Sequence, residues 1–265
     1  EFINTGELDI KTTYVLPVTI KSVEGIGVLQ SAKTYYYVFR GASLINVVCN
    51  ISRNRAYPDF KNDSKFNNLT ENTMEILFKA NSFPNTLNTL MGIESNYLLR
   101  IGDATIPNNQ LQVATSVNNC TSADLQLESG KWYHVAVAFN KGNVKVYING
   151  VEKLSGSTGK SSVSLGAKHT NEEDGSRCFW VGYSYKDDRY FDGVVSEVRI
   201  WNRALTAEEI QATNHFYTIE PESEGLIAYW KFDEGSGTVA KDYSVSGYDL
   251  TIEKEPKWES VSLPQ

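Results

Sequence analysis

An all-β antiparallel sandwich with one short helix and a small N-terminal β segment is the fold that this sequence predicts, and three observations predict it. The 265 residues include 15 Tyr and 5 Trp against 2 Met, and are 41% hydrophobic and 12% aromatic. That composition suits half-buried pleated strands better than helical bundles. Short β-rich runs recur between Gly, Asn, Asp and Ser turn signals at the spacing of a sandwich. One segment alone carries a helix start signal.

Residues 8–20 and 34–40 are β-rich runs joined by Glu24-Gly-Ile-Gly27. Two or three strands cannot build a core, so residues 1–43 are predicted to be linker strands or the C-terminal part of a small β-sandwich. From residue 44 a larger sandwich begins, with early strands over 74–79, 97–101 and 110–114. In 132–140, Tyr133, Val135, Val137 and Phe139 alternate with the opposite face, and Asn140-Lys-Gly-Asn143 turns the chain into 144–149. Asn149-Gly150 suits the positive φ of a type I′ turn into 151–154. The Ser/Gly-rich 155–164 and the polar 168–177 read as loops without regular structure. Thr206-Ala-Glu-Glu209 is a capping box, stapled by Leu205 and Ile210.

Acids and bases are scattered, 32 Asp and Glu against 25 Lys and Arg for a net charge of −7. No basic run could neutralise phosphates, so nucleic acid is excluded as a partner. No stretch reaches the roughly 18–20 apolar residues of a membrane span, and Glu1-Phe2-Ile3 does not open a signal sequence, so any export signal is expected to have been removed. Cys49, Cys120 and Cys178 show no CxxC spacing and at most one bridge, and buried free thiols are the expectation.

Two segments carry a resemblance. Gly130-Lys-Trp-Tyr-His-Val-Ala-Val-Ala-Phe139 running into Val144-Lys-Val-Tyr-Ile-Asn-Gly150, followed by Phe191-Asp-Gly-Val-Val-Ser-Glu-Val-Arg-Ile-Trp-Asn-Arg-Ala-Leu205 leading into the capped helix, resemble the laminin-G-like branch of the concanavalin A-like lectin/glucanase superfamily. The resemblance implies a jelly-roll sandwich over residues 44–265. A third segment, Gly225-Leu-Ile-Ala-Tyr-Trp-Lys-Phe-Asp-Glu-Gly-Ser-Gly237, is similar to the strand that usually opens such domains. Lying late in this chain, it implies a permuted order in which residues 225–263 close the same sandwich; a truncated second copy is the alternative. Thr13-Tyr-Val-Leu-Pro-Val-Thr-Ile-Lys-Ser22 resembles the tail of an immunoglobulin-like domain found in gut-bacterial surface proteins of glycan utilisation, which implies an exported lipoprotein on the outer cell surface.

Glycoside hydrolases of that superfamily present paired carboxylates on one strand. This chain has no Glu-x-Asp-x-x-Glu, and Glu71, Glu75 and Glu94 are not spaced to put two on one face. Glu75 occupies a position that the resemblance implies is a structural carboxylate. His134, between apolar neighbours, reads as a satisfied core histidine; His169 and His215 read as lone residues in polar surroundings. No zinc spacing or nucleophile–base order accompanies them.

Sugars are held by aromatic faces and by planar polar side chains that pair with hydroxyls. Tyr183, Tyr185, Asp188, Arg189 and Tyr190 supply both kinds in eight residues, and Arg100 and Asp103 would join if their strand end reaches the same rim. The competing reading is a brace of core tyrosines and an Asp–Arg pair. Asp187 and Asp192, with Asp188 and Gly193, could hold Ca2+ through loop oxygens or be a solvated acidic turn. The functional expectation is a non-catalytic lectin-like surface protein that captures a glycan or glycoprotein beside other glycan-utilisation proteins. A protein-interaction module without a sugar site is the alternative, and a glycoside hydrolase the third reading.

Overall fold

The alternation of segment 132–140 sets the architecture: in the computed structural model Val135, Val137 and Phe139 enter the main core, while Ala136 and Ala138 join a second cluster on the opposite face. Residues 13–22, 24–25, 27, 33–40, 43–167 and 177–264 are described. The expected run 8–20 is therefore seen from residue 13, and all but Arg177 of the polar stretch 168–177, with His169, lies outside the described residues.

The strands are β1 (Thr13–Thr19), β2 (Thr34–Arg40), β3 (Ile45–Asn50), β4 (Ala56–Pro58), β5 (Glu71–Ala80), β6 (Asn88–Ile93), β7 (Tyr97–Asp103), β8 (Ile106–Thr115), β9 (Trp132–Asn140), β10 (Asn143–Ile148), β11 (Val151–Ser157), β12 (Trp180–Val181), β13 (Gly193–Trp201), β14 (Leu226–Trp230), β15 (Val239–Ala240), β16 (Leu250–Ile252) and β17 (Lys257–Leu263). One sheet runs β11-β10-β9-β5-β13-β3-β17, with β14 also paired to β13; the other runs β15-β16-β4-β12-β6-β7-β8. The pairs are antiparallel, and the two sheets share the main core. Two compact units emerge, residues 47–261 and residues 1–46 with 262–265. In the latter, β1 and β2 form a two-stranded ribbon from Thr13↔Arg40 to Thr19↔Thr34.

The late segment is an integral part of the large unit. β14 pairs with β13 from Val198↔Trp230 to Trp201↔Leu226, and Trp230 and Phe232 are buried in the main core. Trp230 Nε1 donates to the Tyr248 carbonyl at 2.8 Å, which satisfies the indole where it is sealed from water.

The β10–β11 turn has Asn149 at φ 48° and Gly150 at φ 76°, the mirror-image turn that matches strand twist. The chain then departs from the loop expected over 155–164: Ser155, Gly156 and Ser157 continue β11, pairing with Lys145, Val144 and Asn143. An edge strand needs backbone groups facing one neighbour only, so Ser and Gly are tolerated there.

In β13 the alternation slips. Glu197 takes φ 49°, and the register to β5 jumps between Ser196 and Arg199. This bulge lets both Val195 and Val198 reach the core while Glu197 and Arg199 meet on the opposite face.

The helix α1 (Ala207–Ile210) forms where the capping box places it. Thr206 Oγ1 accepts from Glu209 N at 3.3 Å, the Glu209 carboxylate accepts from Thr206 N at 2.8 Å, and Leu205 and Ile210 are buried. Thr206→Ala should cost about 1 kcal/mol, read as a lower urea midpoint at unchanged slope. Cys49, Cys120 and Cys178 are buried and not joined in a disulfide.

Candidate functional site

The loop that carries most of the predicted residues is closed at a neck. After β12, Gly182 N donates to Leu90 O at 2.8 Å and Phe191 N to Gly182 O at 2.9 Å. Gly182 has φ 78°, and a Cβ there would sit 3.1 Å from the Ile51 side chain, so the neck favours glycine on both counts. Phe191 is buried edge-on to Phe78, which anchors the far side. Residues 183–190 project from this fixed base.

The structure divides the predicted residues into two groups. Arg100 on β7 lies opposite Gln112 on β8, and its Nε and Nη2 donate to Gln112 Oε1 at 2.9 and 2.6 Å. Arg100 Nη2 also donates to Asp103 at 2.5 Å. Glu94 then joins strand to loop: its Oε1 is 3.9 Å from Arg100 Nη1 and its Oε2 is 3.6 Å from Arg189 Nη1. Arg189 lies over the Tyr185 ring at 4.9 Å, donates to the Tyr185 hydroxyl at 3.3 Å, and has Asp188 3.7 Å away. Arg100, Asp103, Tyr185, Asp188 and Arg189 are thus one charged cluster. Glu94, considered from sequence only as a catalytic acid, is its bridge.

Tyr183 and Tyr190 belong elsewhere. Tyr183 is 4% exposed, packed edge-on to Trp180 with the Arg55 guanidinium 4.6 Å over its ring. Tyr190 leans on it at 4.9 Å and is half-buried. Tyr190 lines a cleft of about 720 Å3 with Asp187, Asp192, Ser82, Asn85, Arg53 and Lys254. Burial pushes the Tyr190 hydroxyl up to about 12, so it keeps its proton at neutral pH and can donate to a ligand oxygen. Asn85 Nδ2 donates to the Tyr190 carbonyl at 3.0 Å and fixes the loop against the cleft wall.

Asp192 is the floor of this cleft. Its Oδ1 accepts from Ser52 Oγ at 2.8 Å and Asn81 Nδ2 at 3.3 Å, and its Oδ2 accepts from Ser82 Oγ at 2.5 Å. Burial alone would raise its pKa, but these donors and the nearby Arg53 hold it below the usual carboxylate value. One carboxylate thus ties together the chain after β3 and the chain after β5. Asp187, at the exposed loop tip, faces the same cleft, so the two residues considered for calcium share a cavity.

The third polar assembly was least visible in the sequence. His215, expected to be a lone residue in polar surroundings, is instead 5% exposed with its Nε2 donating to Glu75 Oε1 at 2.6 Å. Its partner lies far back in the chain, so no local pattern reveals it. His134 Nε2 lies 3.3 Å from the same oxygen, and its ring stacks on Phe216 at 4.5 Å. Trp201 Nε1 donates to Glu75 Oε2 at 2.7 Å, Arg199 Nη1 lies 3.7 Å from it, and Arg199 also pairs with Glu197, which accepts from Tyr229 at 2.6 Å.

Glu75, His134 and His215 bring three ligand atoms within 4.8 Å of one another, a metal-type donor set. Ligands of one tetrahedral zinc would sit roughly 3.3 Å apart, farther than the 2.6 Å His215–Glu75 contact. The other carboxylate oxygen is held by Trp201 beside a guanidinium. These residues fit a hydrogen-bonded ion network, not a metal. Glu75 is also fully buried and cannot touch a substrate.

Burial would raise the Glu75 pKa, but the two histidines and Arg199 hold it well below 4.5, while burial holds His134 below 6.5 against the pull of Glu75. In both cases the unfolded chain binds more protons, so stability present at higher pH is lost as pH falls. Glu197, raised by burial, acts in the opposite sense. The fall should begin below the ordinary histidine value, where the unfolded chain takes up the His134 proton before the folded one does. Urea unfolding below that value should show the fall, and His134→Gln should flatten it.

A laminin G family model of the concanavalin A-like lectin/glucanases superfamily matches residues 54–211, well over half of the chain. A search among curated proteins returns no match. Among solved structures, a candidate carbohydrate-binding protein from Bacteroides ovatus is 26% identical with a TM-score of 0.70, over 96% of this chain and 70% of that one. Domain 4 of a GH43 extracellular arabinanase from Geobacillus stearothermophilus, in complex with arabinotriose, is 19% identical with a TM-score of 0.47, over 81% of this chain and 91% of that one. A pentraxin from Limulus polyphemus is 14% identical with a TM-score of 0.45, over 66% of this chain and 83% of that one. No described helix is long and apolar enough to cross a membrane. The segments around Trp132 and Trp201 thus do what they promised, and the chain belongs to the concanavalin A-like lectin/glucanase superfamily.

Proposed function

We propose that this chain binds carbohydrate without cleaving it, at the cleft beneath the 183–190 loop. The observation that carries the reading is one cavity of about 720 Å3 that combines the Tyr190 ring, the Asn85 amide and the Asp187 carboxylate on a neck-closed loop. A ring face packs on sugar C–H groups, and the amide and carboxylate take hydroxyls. Fixing the loop beforehand reduces the ordering cost of binding. The similarity to the Bacteroides ovatus protein supports the same reading.

Catalysis is not part of this reading. Glu75 is sealed, and Glu94 lies just beyond β6, in the other sheet from β5, within ion-pair reach of two arginines. In the cell the protein would retain a glycan or glycoprotein at the outer surface, beside other glycan-utilisation proteins. Calcium held by Asp187 and Asp192 would add a ligand-bridging ion to the same cavity.

The β1–β2 ribbon supports reading residues 1–43 as strands of an immunoglobulin-like sandwich. Tyr14, Val15, Leu16, Val18 and Tyr35 to Val38 are all exposed on it, more apolar surface than an isolated ribbon usually carries. A glycan array run with calcium and with chelator, together with chromatography of incubated oligosaccharides, tests the function. Binding without shortened products is expected. Product formation, or a blank array from folded protein, would overturn it, the latter in favour of a protein-interaction module.

A further inference from the structure

The cleft has an unspent positive flank. The turn after β3, Ile51-Ser52-Arg53-Asn54, closes with Asn54 N on Ile51 O at 2.8 Å. Asn54 is 5% exposed and clamps the segment after β16 from both sides: its Nδ2 donates to the Lys254 carbonyl at 2.7 Å, and its Oδ1 accepts from Lys254 N at 3.2 Å. Arg53 and Lys254 are therefore carried on one bracket, exposed, and both line the cleft.

Three of the acids around them take their hydrogen bonds or ion pairs from other groups, while Asp192 senses Arg53 through space and Asp187 faces the cleft from the loop tip. Glu253 pairs with Arg55 at 2.5 Å, Glu255 accepts from Gly237 N at 2.9 Å, and Asp192 is held by Ser52, Asn81 and Ser82. Among the described residues no carboxylate forms an ion pair with Arg53 or Lys254. The contrast with the charged cluster on the neighbouring face is direct, because there Arg100 and Arg189 are met by Glu94, Asp103 and Asp188.

Arg53 also sits at φ 53°, a left-handed conformation that glycine adopts freely and arginine does not. The turn would form more easily with glycine, so the side chain is held there against local preference. An outlier of this kind at a cavity rim is where a ligand contact is to be sought.

We infer that the glycan taken by this cleft carries an anionic substituent, a uronate carboxylate or a sulfate ester, met by Arg53 and Lys254. The guanidinium fork matches either oxyanion with two parallel hydrogen bonds, and the ammonium adds a point charge beside it. Asp187 and Tyr190, on the loop, take the uncharged hydroxyl-bearing part of the sugar. This inference rests on the glycan-binding reading above.

The test is titration calorimetry with three probes: trigalacturonate, its fully methyl-esterified counterpart, and a sulfated chondroitin disaccharide. The wild type should bind at least one anionic probe ten or more times more tightly than the ester, with an affinity that falls as salt rises. Which anionic probe is preferred identifies carboxylate or sulfate as the source. Arg53→Gly should collapse that ratio while its unfolding midpoint stays at or above the wild-type value, because glycine relieves the turn. Lys254→Gln should reduce the ratio without touching the turn. Equal binding of ester and acid by the wild type, or a ratio that survives in Arg53→Gly, would overturn the inference and leave the glycan-binding reading standing. Failure to bind any of the three, together with a blank array, would instead remove that reading itself.

Discussion

Glu75→Ala should lower the unfolding free energy by about 3–5 kcal/mol, the cost of removing one partner from a buried charge network. The loss is large because two buried donors lose their acceptor and two further groups lose the carboxylate charge beside them. The Trp201 indole N–H and the His215 ring N–H hydrogen-bond the carboxylate directly, and His134 and Arg199 lie 3.3 and 3.7 Å from it. Arg199 is fully buried, and without Glu75 it would retain Glu197 as its one carboxylate partner. Glu75→Gln keeps the shape and one acceptor oxygen, so it should cost roughly half as much. Urea unfolding of the two variants at pH 7.5 checks both figures. A cost below about 1 kcal/mol for Glu75→Ala would mean that the network is not closed as described.

Tyr190→Ala should weaken glycan binding at least tenfold, equivalent to about 1.4 kcal/mol. The side chain supplies the aromatic face of the cleft, and its phenol, protonated at neutral pH, supplies a donor beside it. Tyr183, packed behind it at a tilt, is 4% exposed, so Tyr183→Ala should act on stability first and on binding only through the position of Tyr190. Arg100→Ala should behave as a packing and charge loss in the neighbouring cluster, with Asp103 Oδ2 and Gln112 Oε1 left without their guanidinium donor. Calorimetry with the best array ligand separates these outcomes, because unfolding midpoints and binding constants are read on the same samples.

The fold was legible wherever its cause was local. Alternation through Tyr133, Val135, Val137 and Phe139, the Asn149-Gly150 turn and the Thr206 capping box each act over a few residues, and each forms where the sequence placed it. The edge strand through Ser157 was hidden because its stability comes from ladder hydrogen bonds to β10 and not from side chains. The bulge at Glu197 was visible only as a slip in period, with Val195 and Val198 three apart yet both in the core.

The candidate site was legible in its residue types more than in its grouping. Tyr185, Asp188 and Arg189 do meet Arg100 and Asp103, but through Glu94, which no spacing argument singled out. Tyr190 turns away from them into the cleft with Asp187 and Asp192, because the neck at Gly182 and Phe191 rotates the end of the loop toward the chain following β3. Arg53 and Lys254 are brought together by Asn54 across some two hundred residues, and such pairings leave no mark in a single sequence.

The most direct measurement is a crystal structure of the protein with the strongest ligand from a glycan array. Sugar density against the Tyr190 ring, with hydroxyls in reach of Asn85 and Asp187, is the expected result. A ligand seated on any other face, with the cleft beneath the 183–190 loop left to solvent, would contradict the account.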